Sequence, residues 1–241
     1  MSNPKTDPPA ADRARILLSA RGVQKSYRTG STRLDVLTGI DLEIRPGEIT
    51  AIVGASGVGK STLLHILGAL DKPTGGRVDL NGADIFSLSD KKLARVRNET
   101  FGFVFQFHHL LPDFSALENV FMPPLISGRS RAAARQTALD LLAEVGLARC
   151  AEQKPGQLSG GEQQRVAVAR ALANAPAVIL ADEPSGNLDR ANSEMLHDLI
   201  YQLSRSKNQA FVIVTHNEKL ASRADRMFRM IDGKLQPEIG L

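Results

Sequence analysis

The sequence holds a single cysteine, Cys150, in 241 residues, which excludes an intrachain disulfide and fits a reducing compartment. An excess of one charge is also missing. Thirty basic and 26 acidic residues leave a net charge of +4 with no block of like sign, so nucleic acid is not an expected partner. No apolar run approaches the roughly 18 residues of a membrane span. The opening stretch MSNPKTDPPAADRAR has prolines and charges and lacks the apolar segment of a secretory signal. It predicts a disordered tail over residues 1–14. Internal repeats are absent. A protein of this kind that works at a membrane does so through a partner.

What is present is regular alternation of strands and helices. The length suits one domain with subdomains. Around GIDLEI, the residues Ile40, Leu42 and Ile44 alternate with polar neighbours, as in a half-buried strand. Pro46-Gly47 makes a turn, and ITAIV (49–53) is continuously apolar, as a fully buried strand is. Helix follows over about 59–70. RVDLNGADI predicts a strand and an Asn-Gly turn, Ser89-Asp90 caps a helix to about Asn98, and FGFVF (101–105) is a strand. Helices dominate from there to AVILAD (177–182). They include a capping box at Ser115 and Glu118, an apolar stripe over 130–146 and a helix from Gly161 to about Ala173. Then come a helix over about 190–205, the strand FVIVT (211–215), a short helix, and a terminal strand ending at Asp232-Gly233. The expectation is an α/β fold with a parallel sheet, a small antiparallel layer and an inserted helical subdomain over about 107–165.

The strand ITAIV runs into GASGVGKST, which matches G-x-x-x-x-G-K-[ST] with Gly54, Gly59, Lys60 and Ser61. Glycines let such a loop turn tightly and aim its N–H groups at an anion, and the following helix adds its positive end. The loop as a whole, Gly54, Ala55, Ser56, Gly57, Val58, Gly59, Lys60, Ser61 and Thr62, is the candidate phosphate site. Lys60 would neutralise the β- and γ-phosphates, and Ser61 would ligate Mg²⁺. Asp182 ends a buried strand where its carboxylate would meet this loop, and Glu183 follows at once. One can serve the metal and the other a water, because successive residues leaving a strand point in different directions. His216 ends the strand FVIVT in the same way. On that ground alone it stands equally as a catalytic or a structural histidine.

LSGGEQQRV (158–166) decides the family. With Tyr27, GASGVGKST, Gln106, VILADEP, SGNLD (185–189) and His216 in order, the chain resembles the ATPase subunits of ABC transporters, as a P-loop NTPase with a RecA-like core. The resemblance covers nearly everything after about residue 15. It implies ATP and Mg²⁺ as ligands. It implies Tyr27 stacked on adenine, Gln106 touching metal and attacking water, Asp182 holding Mg²⁺, Glu183 as general base and His216 on the γ-phosphate. It implies that Ser159, Gly160, Gly161 and Glu162 face the ATP of a second copy in a head-to-tail dimer, with Asp189 linking the two sites. Val58 and Ser185 depart from common variants at positions whose side chains the mechanism does not need.

FQFHHLLPDFSALENV (105–120) resembles the same region in the ATPases of lipoprotein-releasing LolCDE complexes, and SGNLD is shared with a broader group of macrolide-exporter-like ATPases. That resemblance implies a chain on the cytoplasmic side of the inner membrane, driving two integral membrane subunits. These extract lipoproteins and pass them to a periplasmic carrier, so the ATPase never touches the lipoprotein. A related exporter or a cell-division complex would use the same phosphate chemistry. The histidine pair has no neighbouring ligand spacing for a metal. Core packing accounts for part of the stretch. The family's docking of a membrane-subunit helix just after Gln106 favours Phe107, His108, His109, Leu110, Leu111 and Phe114 as a docking surface.

Overall fold

The computed structural model describes residues 15–30 and 32–238. The tail expected over 1–14 lies outside them. Two sheets and a helical layer share one chain.

Strands β1 (Leu18–Thr29), β2 (Thr32–Ile44), β4 (Gly75–Leu80) and β5 (Ala83–Asp84) form an antiparallel sheet in the order β2-β1-β4-β5. The second sheet has the order β10-β9-β3-β8-β7-β6, built from β3 (Ile49–Val53), β6 (Phe101–Phe105), β7 (Val178–Asp182), β8 (Ala210–Thr215), β9 (Arg226–Ile231) and β10 (Lys234–Glu238). All its pairings are parallel except β10 on β9. The expected terminal strand is β9. The chain does not stop at Asp232-Gly233, which is a turn, and β10 returns along β9 with Pro237 opposite Phe228.

The helices are α1 (Lys60–Leu67), α2 (Asp90–Thr100), α3 (Ala116–Ile126), α4 (Arg131–Glu144), α5 (Gly160–Leu172), α6 (Arg190–Lys207) and the single turn α7 (Glu218–Ala221). Ser115 and Glu118 form the reciprocal capping box at the start of α3. Ser89 sits at the N-cap of α2 but makes no side-chain cap bond. No helix among the described residues is long and apolar enough to cross a membrane.

The continuous apolar runs are explained by burial on both faces. Along β8, Val212 and Val214 face a core shared with α1 and the antiparallel sheet, while Phe211 and Ile213 face a core shared with α3 to α6. Val178 and Leu180 of β7 alternate with Ile179 and Ala181 in the same way. Each fully buried Val, Leu or Ile contributes about 1.5–3 kcal/mol. Both layers are therefore welded to one sheet. The register brings the C-terminal ends of the parallel strands together: Val53 pairs with Thr215, and Asp182 with both Val214 and Phe105. The loops leaving β3, β6, β7 and β8 at that edge each carry a candidate site residue.

Candidate active site

The loop leaving β3 arrives at α1 through Gly59, whose φ of 106° is in the region that favours glycine. A Cβ there would stand about 3.0 Å from Val36 and Leu37. Lys60, buried at the first position of α1, donates from Nζ to the carbonyls of Gly54 (2.8 Å) and Ala55 (2.9 Å). Its charge is thereby held over the loop. Ser61 and Asp182 line the same cleft. Burial pushes the Asp182 carboxyl above its usual range, with Ser61 and nearby His65 opposing. Val58 packs against the core shared with the antiparallel sheet.

Glu183 turns away from Asp182. Its backbone is left-handed, with φ of 45°, a conformation that costs a non-glycine residue of order 1–3 kcal/mol. Three bonds fix its carboxylate: Thr215 Oγ1 donates to Oε2 at 3.0 Å, the His216 N–H donates to Oε2 at 3.2 Å, and His216 Nδ1 lies 3.0 Å from Oε1. His216 is thus joined to Glu183, and its ring remains largely exposed. Gln106, leaving β6, donates from Nε2 to Asn187 Oδ1 at 2.9 Å, and Asn187 returns a bond to the Gln106 carbonyl at 3.2 Å.

One cleft of about 630 Å³ has Tyr27, Ser56, Gly57, Gly59, Lys60, Ser61, Thr62, Gln106, Asp182 and Glu183 on its walls, and His216 reaches it only through Glu183. Tyr27 is 42% exposed, beside Leu34, its partner across the β1–β2 hairpin. Its hydroxyl donates to Asp71 at 2.9 Å, and Lys25 bonds the same carboxylate at 2.6 Å. Burial pushes Asp71 up, but the bonds from Lys25, Tyr27 and the Lys72 amide outweigh it and hold the carboxyl below its usual range.

The signature lies at the start of α5. Ser159 caps it, and Glu162 turns back to accept from Ser159 N (2.9 Å) and Oγ (2.8 Å), which lowers the Glu162 pKa. Gly161 faces Asn192: an added Cβ would stand 2.3 Å from Asn192 Oδ1. Asn192 is itself held by Asp189, the N-cap of α6, through its N–H (2.8 Å) and side chain (2.7 Å). Asp189 and the signature are therefore neighbours within one chain.

The 107–114 segment divides. Phe107 (68% exposed), Leu111 and Phe114 project outward. Leu110 packs on the helical core, so the core reading holds for it. His108 and His109 both have left-handed backbones, and the His109 ring meets Phe105 edge-on. Buried Asn119 organises the segment, accepting from Leu111 N and donating to the carbonyls of Leu111, Phe114 and Ser115.

Sequence reasoning missed Asn119, Asn187, Asn192 and the buried His197, whose Nε2 lies 3.0 Å from Ser185 Oγ. Burial pushes the His197 pKa down. Ser185, whose side chain the motif does not require, is thus a buried anchor of its loop. Asn187 lay inside the quoted SGNLD stretch. Asn119 lay inside the quoted 105–120 stretch, while Asn192 and His197 had no motif to mark them.

A phosphate loop, two carboxylates at a strand end and a second helix N-terminus on one parallel sheet define a cassette that binds and hydrolyses nucleoside triphosphate. The family model described as ABC transporter matches residues 37–186. The "Lipoprotein-releasing system ATP-binding protein LolD" of Geobacter metallireducens is 56% identical over 219 residues, covering 91% of this chain and 97% of that protein. Its counterpart in Porphyromonas gingivalis is 52% identical, covering 92% of this chain and all of that one. The dimeric structure of MJ0796, a bacterial ABC transporter cassette, superposes with a TM-score of 0.85 at 40% identity, covering 92% of this chain and 98% of that one. The same cassette in a post-hydrolysis state with ADP and Pi gives 0.84 at 39% identity. The chain belongs to the ABC transporter ATP-binding family, in its LolD group.

Proposed function

We propose that this chain is the ATP-hydrolysing subunit of an ABC complex that releases lipoproteins from the inner membrane for transfer to a periplasmic carrier and the outer membrane. It would act as a homodimer on the cytoplasmic side, bound to two integral membrane subunits that handle the lipoprotein. The observation that carries this reading is the 56% identity to a LolD protein across nearly the whole of both chains. The cleft supports the chemistry.

In this reading adenine stacks on the exposed Tyr27 ring. The loop amides, Lys60 and the positive end of α1 take the phosphates. Ser61 and Asp182, two hard oxygen donors on one cleft wall, suit Mg²⁺, which when bound would offset phosphate charge. Glu183 accepts the proton of the attacking water, held in aim by Thr215 and His216. Gln106 positions the water, and the free face of His216 meets the γ-phosphate. One chain supplies one wall of this site. The capped N-terminus of α5, with Ser159, Gly160, Gly161 and Glu162, suits the γ-phosphate held by the second copy, and Asp189 beside it links the two sites. Hydrolysis is then coupled to closure of the dimer.

His109 lines a groove of about 480 Å³ whose other walls include Leu70, Ala94, Phe103, Phe105 and Pro123, and Phe107, Leu111 and Phe114 are exposed on the same segment. Such a groove suits the apolar face of a membrane-subunit helix. Leu110 and His108 support the surface from behind.

The test is reconstitution. The chain, co-expressed with its two membrane subunits and placed in lipoprotein-loaded vesicles, should release lipoprotein to a soluble carrier only with ATP. An assembled complex that hydrolyses ATP and releases none would overturn the assignment.

A further inference from the structure

The segment after Gln106 and the signature helix are joined by a residue that neither motif contains. Arg170, in the last turn of α5, donates from Nη2 to the His108 carbonyl at 2.7 Å and from Nη1 to the His109 carbonyl at 2.6 Å. Those two residues have φ of 42° and 49°, consecutive left-handed positions without a glycine. Such a backbone persists only where its surroundings hold it. A planar guanidinium meets the two carbonyls with two separate nitrogens held in a rigid fork, which fixes their relative orientation. Further up the same helix, buried Gln164 donates to the Phe105 carbonyl at 3.3 Å. Hence α5 grips the strand end and the segment that follows it on both sides of Gln106. The helix is 13 residues long, about 20 Å, and its other end is Ser159-Gly160-Gly161.

We propose that Arg170 is a positioning residue: it fixes the docking segment to the C-terminal end of the signature helix, so that a displacement of that segment is delivered to the helix end facing the second copy's ATP. The docking side chains project from the loop that Arg170 holds. The side chain touches neither nucleotide loop nor carboxylates, so its effect is on coupling and not on the chemical step. The inference rests on the docking reading above.

Arg170→Met keeps length and removes every donor. Arg170→Lys keeps charge and loses the rigid two-nitrogen fork. Both are made in the full complex with its membrane subunits and also as the isolated chain. ATP turnover of the isolated variants should stay within about threefold of the parent. In the complex, lipoprotein released per ATP hydrolysed should fall about fivefold or more in Arg170→Met, with Arg170→Lys intermediate. Assembly, read by pull-down, should persist in both, which separates this from a failure of docking itself. An unchanged ratio of release to hydrolysis in the assembled complex overturns the proposal. So does a parallel fall of release and turnover that leaves the ratio at its parent value, the signature of mere destabilisation at any melting temperature.

Discussion

Replacing Glu183 by glutamine isolates one atom's chemistry. The carboxylate makes three contacts, and an amide can keep all of them. Its oxygen in the Oε2 position still accepts from Thr215 Oγ1 and the His216 N–H. Its NH₂ in the Oε1 position donates to His216 Nδ1, provided that ring carries its proton on Nε2. The left-handed backbone at 183 is common to both residues, so its strain cancels. The net change in stability should be under about 1 kcal/mol, a shift in melting temperature below about 4 °C for a chain of this size. Turnover should behave differently, because an amide cannot take the water's proton. General base catalysis contributes about 10²–10⁴-fold, or roughly 2.7–5.5 kcal/mol. Phosphate release should therefore fall at least about 100-fold while ATP affinity is retained, and light scattering should show an ATP-dependent dimer accumulating. Turnover within about tenfold of the parent, at an unchanged melting temperature, would refute the assignment. A large drop in melting temperature would instead mark Glu183 as an anchor of the Thr215–His216 loop.

Other substitutions test the remaining parts. Lys60→Ala removes charge-assisted bonds to two phosphates at about 1.5–3 kcal/mol each, so ATP affinity by calorimetry should fall about 100-fold or more. Asp182→Asn separates stability from function. Burial raises the Asp182 pKa in the fold above its unfolded value, so the ionised form weighs against folding at neutral pH and is relieved as pH falls toward the carboxylate range. The asparagine variant should thus melt higher without nucleotide near pH 7, lose that advantage in acid, and hydrolyse Mg-ATP poorly. Leu111→Asp and Phe114→Asp alter exposed side chains outside the nucleotide cleft, so melting temperature and ATP binding should be unchanged while pull-down of the membrane subunits falls. A normal complex from these folded variants removes docking from this surface.

Most of the fold was legible because both-face burial writes itself as uninterrupted apolar runs. ITAIV, AVILAD and FVIVT could be strands of only one kind of sheet. Strand β10 was missed for the opposite reason. Lys234-Leu235-Gln236-Pro237-Glu238 is mostly exposed and belongs to the sheet through backbone pairing at an edge, where proline is tolerated and no apolar pattern is required. Ser89 shows the limit of cap signals: the residue type marked the helix start, yet its hydroxyl makes no cap bond there. In the docking stretch, composition identified an apolar surface without sorting it. Phe107 faces out and Leu110 faces in, a difference set by two left-handed residues between them that no periodicity encodes.

The site divides along the same line. Residues proposed to meet the nucleotide could be named from motifs, because phosphate, metal and water demand particular groups at particular spacings. Residues aimed at other loops could not. Asn187 meets Gln106, Asn192 joins Asp189 to Gly161, and Arg170 holds His108 and His109. Each lies one layer behind a motif and bonds groups that many sequences share, often a backbone carbonyl. These contacts connect the Gln106 loop to the 185–189 loop, that loop to the signature, and the signature helix back to the Gln106 loop. Hydrogen bonds make the first and last of these links, and close packing of Asn192 against Gly161 makes the second. In the proposed reading, a shift at the docking face would be passed through these contacts to the signature and the Asp189 turn. Both lie where the second copy's nucleotide would bind.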